Sequence, residues 1–307
     1  MGGGHGLAMS LAALRRVTDR VTAVVTVADD GGSSGRLRTE IGALPPGDLR
    51  MALAALAGDD SWGATWSDLL QHRFSGSGPL AGHAVGNLVI SGLCEVTGDP
   101  VAALDLVAQL VGAAGRVLPL STTPLDIVAE VVGLDPRDPG AVSEVRGQVK
   151  VATTPGRVVA VHLVPDSPPA CVEAVRAVEA ADVVVLGPGS WFSSVLPHLL
   201  VPDLAKALVA TEARKVVALN LSPQPGETDG FSPETHLEVL AAHLPELGVD
   251  VVLADPRAVP QPDRLRDAAA ELGASLVLAD VGRRDGSPVH DPELLAAALR
   301  PILGAAR

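Results

Sequence analysis

Apolar positions along this chain fall into two alternating rhythms. Short runs rich in valine and leucine predict strands at 21–28, 182–186, 216–219 and 249–253, with a brief one near Val277. Between and after them, apolar residues recur three and four apart. They predict helices at 7–16, 169–180, 204–210, 233–243, 263–272 and 292–303. Strand–helix alternation of this kind predicts an α/β fold, a mostly parallel sheet with helices on both faces.

Two intervals break the rhythm. Residues 48–112 read as a helical insertion, with helices at 49–57, 62–74, 82–96 and 100–111; Trp66, Leu69, Leu70 and Phe74 share one face. Residues 115–163 read as a small β-rich extension, a meander or mixed sheet, with strands at 117–120, 127–132, 145–151 and 158–163. No repeat or low-complexity segment divides the chain, so 1–307 reads as a single domain. The opening is unusual. A glycine loop at 2–6 leads into the first helix, but only Met1 precedes it, so the strand that normally feeds such a loop is missing from the pattern.

Composition narrows the chemistry. Hydrophobic residues make up 47% of the chain and aromatic ones only 2%, so the core must be aliphatic. A net charge of -13 argues against general nucleic-acid binding or an anionic membrane surface. Local N–H groups and a few arginines can still receive a phosphorylated small molecule. Cys94 and Cys171 lie in apolar surroundings and read as buried thiols; without a CxxC pair or a Cys/His cluster, no structural zinc is expected. No signal peptide or apolar run of spanning length is apparent, so a soluble cytoplasmic protein is expected. A homo-oligomer and a regulatory protein partner are compatible with the sequence, which identifies neither.

The candidate chemistry sits in loops at the carboxyl ends of predicted strands. The strand at 21–28 runs into Asp29, Asp30, two glycines, Ser33, Ser34, Gly35, Arg36 and Arg38. Glycines let backbone N–H groups approach a ligand, arginines meet phosphate oxygens, and carboxylates hold ribose hydroxyls or a hydrated metal such as Mg²⁺. The plainer alternatives are that the acids cap the turn and that Arg38 lies on a solvated helix face. Gly3, Gly4, His5 and Gly6 resemble a phosphate cradle at a helix N-terminus, or else form a tight strand–helix turn. They do not fit G-x-G-x-x-G, because Leu7 falls where the third glycine should be. Asp48 starts a helix with Arg50 just inside it, and an ordinary N-cap is the alternative for the acid. His83 and Asn87 are four apart and suit either a shared polar target or a buried pair. Gly187, Pro188, Gly189 and Ser190 form a second candidate anion turn. Gln224, Gly226, Glu227, Thr228 and Asp229 lie in a loop after the strand at 216–219. Four such loops on one sheet edge define a crevice.

These residues resemble the YvcK-type family of gluconeogenesis factors, relatives of the CofD phospholactyl transferases. The likeness rests on Gly-Gly-Gly-His-Gly at 2–6, Val-Ala-Asp-Asp-Gly-Gly-Ser-Ser-Gly-Arg at 27–36 and Pro-Pro-Gly-Asp-Leu-Arg at 45–50. It continues in order through Gln-His-Arg-Phe at 71–74, Gly-His-Ala-Val-Gly-Asn at 82–87 and Gly-Pro-Gly-Ser at 187–190. Gln-Pro-Gly-Glu-Thr-Asp-Gly at 224–230 and His-Asp-Pro at 290–292 complete it. The resemblance implies a Rossmann-like fold and binding of UDP-sugars, UDP-N-acetylglucosamine in particular. It also implies a role in growth on gluconeogenic carbon, cell shape and cell-wall (peptidoglycan) precursor supply. The enzymatic relatives imply a transferase reaction, often with Mg²⁺, as the alternative. No redox cofactor is expected. The chain departs from the family in the missing first strand, in Leu221-Ser222-Pro223 ahead of Gln224, and in His5 where many members carry threonine.

Overall fold

The computed structural model describes residues 1–224 and 226–304. Its main sheet consists of two parallel groups. β1 (Thr22–Val25) pairs with β2 (Arg116–Pro119). The other four strands follow in sequence order, at a later point in the chain. β3 (Asp126–Val132), β4 (Val142–Arg146) and β5 (Arg157–Val164) form a separate antiparallel sheet in the order β4-β3-β5. β6 (Val183–Leu186), β7 (Arg214–Ala218), β8 (Val251–Ala254) and β9 (Ser275–Leu278) pair side by side, all parallel. Valine dominates these strands because branched side chains suit a pleated surface buried on both faces.

Met1 and Gly2 join the two parallel groups. The Gly2 N–H donates to Val24 O (3.2 Å), and Thr26 N–H donates to Gly2 O (3.1 Å). On the other side the Met1 amino group donates to Val185 O (2.7 Å), and Gly187 N–H donates to Met1 O (3.1 Å). These two residues therefore hold the carboxyl end of the position that the sequence pattern leaves unfilled.

Helices cover the sheet. α1 (Gly4–Leu14) packs on α3 (Gly47–Leu56), with α2 (Gly32–Ile41) between them in sequence. α4 (Ser61–Gln71), α5 (Val85–Thr97) and α6 (Pro100–Leu110) follow. Local chemistry marks the ends of these helices. Asp60 accepts from Gly63 N–H (2.7 Å) at the start of α4, and Asp99 accepts from Val101 N–H (2.8 Å) ahead of Pro100 in α6. Gly98 closes α5 at φ +68°, a left-handed conformation that glycine adopts without strain. Leu11, Leu49, Leu53, Leu56 and Leu104 are almost wholly buried beneath them, each worth roughly 1.5–3 kcal/mol of transfer free energy.

The later helices are α7 (Gln148–Ala152), α8 (Val172–Glu179), α9 (Pro197–Leu200), α10 (Pro202–Ala210), α11 (Pro233–His243), α12 (Pro262–Glu271) and α13 (Pro292–Gly304). A single π-helical turn, Trp191–Val195, precedes α9. Among the described residues no single helix is long and apolar enough to cross a membrane.

Three expectations need correction. The strand expected at 145–151 ends at Arg146, and α7 takes its place after Gly147 (φ +103°). The strand at 117–120 belongs to the main sheet, not to the antiparallel one. Cys171 is buried but Cys94 is only half-buried, and both thiols are free.

Arg38 is neither solvated nor turned to a ligand. It donates to Leu125 O (2.9 Å) and pairs with Asp126 (2.5 Å), tying α2 to the start of β3. Arg38→Gln is expected to cost about 1–2 kcal/mol in urea denaturation, the range for a charge-assisted bond at a partly buried site. A change below about 0.5 kcal/mol would show that the tie is idle.

Candidate functional site

Three helices begin at one place. The N-cap residues Gly3 of α1, Gly31 of α2 and Pro46 of α3 provide no side-chain cap. The first-turn N–H groups, which have no intrahelical acceptor in any helix, are therefore not taken by an N-cap side chain here. Their contacts are close. A Cβ built on Gly3 would lie 2.4 Å from Asp48 Oδ2 and 2.5 Å from Thr26 Cγ2. One built on Gly47 would lie 2.4 Å from Asp29 Oδ2 and 2.5 Å from Ser34 Oγ. Only glycine permits this approach, so the starts of α1, α2 and α3 surround Asp29 and Asp48.

Three helix starts make the region electropositive, yet it holds two carboxylates. Asp48 is buried, and its carboxyl is pushed up to about 7 by burial and then by the Asp29 charge. The Gly4 N–H and Arg50 draw it part of the way back. Asp48 Oδ2 and Thr26 Oγ1 are buried with no hydrogen-bond partner. Both flank Gly3, so the cradle contains unused polar capacity on either side of the glycine turn.

Arg50 lies beneath. Its Nε donates to Asn87 Oδ1 (2.9 Å), and Asn87 Nδ2 donates to Ser34 Oγ (3.4 Å). Burial and the nearby Arg73 lower Arg50 to about 10, so it remains a cation at neutral pH. His83 bonds Ser33 Oγ through Nδ1 (2.9 Å) just before α5 begins. His83 and Asn87 therefore support α2 from below and face its serines, not each other.

The turn at 187–190 forms the opposite wall. A Cβ on Gly6 would lie 2.4 Å from Pro188 O and 2.6 Å from Gly189 Cα, so α1 rests directly on this turn. Asn220 holds it from behind, accepting from Gly189 N–H (2.9 Å) and donating to Gly189 O (2.8 Å) and Gln224 Oε1 (3.3 Å). Glu227 accepts from Ser190 Oγ (2.6 Å) and Ser193 N–H (2.8 Å). Burial raises the Glu227 carboxyl, and the bonds from Ser190 and Ser193 oppose that rise. Thr228 Oγ1 accepts from Gln224 N–H (2.7 Å) and closes the loop. Glu227 and Thr228 thus brace the turn.

Several expected site residues are engaged elsewhere. Arg36 donates to Ala81 O (2.8 Å) and to Pro79 O, clamping the α4–α5 loop; its guanidinium is taken up by carbonyls. Asp30 accepts from Val149 N–H (3.0 Å) and serves the start of α7. Asp229 is exposed and accepts from Gly226 N–H (2.8 Å) within its own loop. Gly226 rests on the Ala152 carbonyl, and Gly35 on the Asp30 carbonyl, both as packing contacts. His5 is exposed on the first turn of α1. Asp48 lies in the first turn of α3, with no N-cap bond.

Thr26, Gly47, Ser193, Ser194 and Asn220 join the site without having been singled out in the sequence. Asn220 carried a usable signal, a polar residue just beyond a buried strand. The pair Ser193-Ser194 lay hidden in an apolar run that forms the π-helical turn.

Among the described residues no three His, Cys, Asp or Glu side chains converge as metal ligands. Asp29 and Asp48 do make a pair of the kind that holds Mg²⁺, which takes one or two carboxylates and completes its shell with water and substrate phosphates. The orphaned Asp48 Oδ2 fits that role.

Comparison with known proteins places this geometry in context. The family model described as 2-phospho-L-lactate transferase CofD matches residues 1–293. The "Gluconeogenesis factor" of Listeria monocytogenes is 34% identical over 314 residues, covering 99% of this chain and 94% of that one. A Mycobacterium tuberculosis protein that carries the same name provisionally is 57% identical over 302 residues, covering 97% and 88%. A crystal structure of a UPF0052 family member from Bacillus halodurans superposes with a TM-score of 0.87 at 32% identity, covering 97% of this chain and 96% of that one. The fold is accordingly Rossmann-like.

Proposed function

Because this chain belongs to the CofD family and, within it, to the gluconeogenesis factors, we propose that its crevice binds a nucleotide-sugar, UDP-N-acetylglucosamine. On this reading the protein regulates carbon allocation between gluconeogenesis and the supply of cell-wall precursors, with consequences for cell shape. The observation that carries the ligand class is the convergence of three uncapped helix starts around Gly3 and Gly47. A diphosphate offers the negative charge and the acceptor oxygens that such N–H groups lack.

The roles follow from position. The N–H groups of His5 and Gly6 face the diphosphate from one side, beside the Gly4 N–H that Asp48 takes, and those of Gly32, Ser33 and Ser34 from another. Asp29 takes a ribose or sugar hydroxyl, or with Asp48 holds Mg²⁺, which would neutralise the carboxylates beside the phosphates. Arg50 offsets the remaining charge from below, positioned by Asn87. Pro188, Gly189 and Ser190 line the far wall, braced by Glu227.

Calorimetric titration with UDP-N-acetylglucosamine tests this reading. Asp29→Ala is expected to weaken binding at least tenfold, while Asp30→Ala, on the α7 side, stays within about twofold. Equal affinity for the wild type and Asp29→Ala would remove Asp29 from the site. The Asp29–Asp48 pair also favours a second reading, a CofD-like transferase that uses Mg²⁺ to stabilise a leaving phosphate. Incubation with Mg²⁺ and the UDP-sugar separates the two. Steady release of UDP or UMP, followed by chromatography, identifies the enzyme, and an intact ligand identifies the regulator.

A further inference from the structure

β4 (Val142–Arg146) is an outer strand of the antiparallel sheet, whose order is β4-β3-β5. Its far edge pairs with no other strand among the described residues. α7, which follows Gly147, packs on β3 as well as on β4. A helix that reaches past the outer strand to the middle one lies over the face of the sheet, so it leaves the edge open. Val142, Glu144 and Arg146 are exposed along this strand.

Register fixes which groups the edge offers. In an antiparallel pair, opposite residues alternate between exchanging both backbone bonds and exchanging none. Gly147 stands opposite Ile127, one step beyond the Val128–Arg146 pair, and its N–H donates to Ile127 O (2.8 Å). The bonded pairs therefore join Gly147, Val145 and Ser143 to Ile127, Ala129 and Val131. Val142, Glu144 and Arg146 alternate with them, and their N–H and C=O groups turn outward. An edge of this kind is a template for another strand.

Charge selects the strand. Glu144 stands directly opposite Glu130 of β3, in a pair without backbone bonds, where side chains come closest. Like charges so placed are destabilising. Among the described residues neither glutamate makes an ion pair, whereas Asp126, at the start of β3, holds both Arg38 and Arg146. The edge thus has an unmatched acid at Glu144 and a surplus base at Arg146. A strand that sets a base against Glu144 and an acid against Arg146 complements it. β4 is itself such a strand when it runs antiparallel to its own copy.

We propose that the β4 edge is a homodimer interface, in which β4 of one protomer pairs antiparallel with β4 of its partner about a two-fold axis at Val145. Outward-facing residues bond only with outward-facing ones, so self-pairing allows registers centred on Ser143, Glu144 or Val145. The register centred on Glu144 sets that acid against itself, and the one centred on Ser143 sets it against Val142. The register centred on Val145 sets Glu144 against Arg146 of the partner, and by symmetry does so twice. Each of these pairs exchanges both backbone bonds, and Val145 meets its own copy between them. The two antiparallel sheets become one, and Arg146 is shared between Asp126 of its own chain and Glu144 of the partner. An interface this small makes a weak dimer. It lies on the antiparallel sheet, and its formation does not depend on the nucleotide reading.

Sedimentation of the whole chain from micromolar to near-millimolar concentration tests the proposal. The average mass is expected to rise toward twice that of the monomer. Glu144→Pro removes an outward N–H and spares the β3 ladder, since proline is tolerated where its N–H would face solvent. It should weaken association at least tenfold with little change in the thermal midpoint. Glu144→Arg should also weaken association at least tenfold, while it raises the monomer's thermal midpoint by relieving Glu130. Adding Arg146→Glu to Glu144→Arg restores opposite charges across the axis and should restore association. Oxidation should link Val145→Cys to its own copy, and leave Ser143→Cys unlinked at that position. A monomer at every concentration overturns the proposal. So does a dimer that neither Glu144→Pro nor Glu144→Arg weakens. Failure of the double variant to regain association, or of Val145→Cys to link, overturns the register.

Discussion

Valine in place of Gly6 is expected to abolish nucleotide binding, with an affinity loss of at least 100-fold, and to lower stability by about 3 kcal/mol. The cause is steric. The new Cβ would lie 2.4 Å from Pro188 O and 2.6 Å from Gly189 Cα, both backbone atoms that cannot swing aside. The start of α1 must then lift off the turn at 187–190, and with it the N–H groups of Gly4, His5 and Gly6. Gly4→Ala is the informative partner. Gly4 has φ +58°, and an alanine methyl there would meet nothing within 4 Å, so the cost is conformational, about 1–2 kcal/mol, without a clash. Urea denaturation and calorimetry on both variants separate the effects. If Gly6→Val retains wild-type affinity, α1 and the 187–190 turn do not share a ligand.

Asp48→Asn is expected to stabilise the protein by an amount that grows with pH. The Asp48 carboxyl sits at about 7 in the folded protein, against an ordinary value of 3.8. Between those two values the folded chain holds a proton that the unfolded chain has released, so wild-type stability falls as pH rises through this window. The loss is complete above about 7 and is on the order of 4 kcal/mol at one pKa unit per 1.36 kcal/mol. Asparagine carries no such penalty. The variant should therefore match the wild type near pH 4 and exceed it increasingly toward pH 8, with other titrating groups cancelling in the difference. Chemical denaturation of both proteins at pH 4, 6 and 8 checks this. A constant difference across the three would mean that Asp48 is already ionised in the folded state at acid pH. Magnesium or a hydrogen-bond donor at the orphaned Asp48 Oδ2 should flatten the wild-type slope.

Much of the architecture was legible because valine runs and helical periodicity are long-range, redundant signals. The parallel strands β6, β7 and β8 and the helices between them fell close to their expected positions. Short or propensity-poor elements were not legible. α2 begins with Gly-Ser-Ser-Gly, which favours turns, and is helical because Arg38 and the serines anchor it to its neighbours. α7 contains Val149 and Val151 and reads as strand, yet Asp30 accepts from its first turn and fixes a helix. Met1 and Gly2 are too short to show any period.

The site shows the same division. Glycine-rich turns after strands announced themselves, since packing alone does not require them. What each side chain touches did not. Arg36 looked like a phosphate partner because arginine beside serine and glycine suits phosphate, but two carbonyls of a distant loop claim it. Asp29 and Asp30 are adjacent in sequence and point to different elements, one toward Gly47 and the other toward α7. Glu227 looked like a crevice-lining acid and instead braces Ser190 and Ser193. Tertiary partners of this kind carry no local signal.

One diphosphate-bearing molecule spanning several distant turns is the core of the account, and hydrogen exchange with and without UDP-N-acetylglucosamine measures it most directly. Saturating ligand is expected to slow exchange together at 3–6, 31–35 and 47–50, with a common midpoint in titration, and to leave the exposed loop at 134–140 unchanged. Protection confined to one of these segments, or none at saturating ligand, would contradict it.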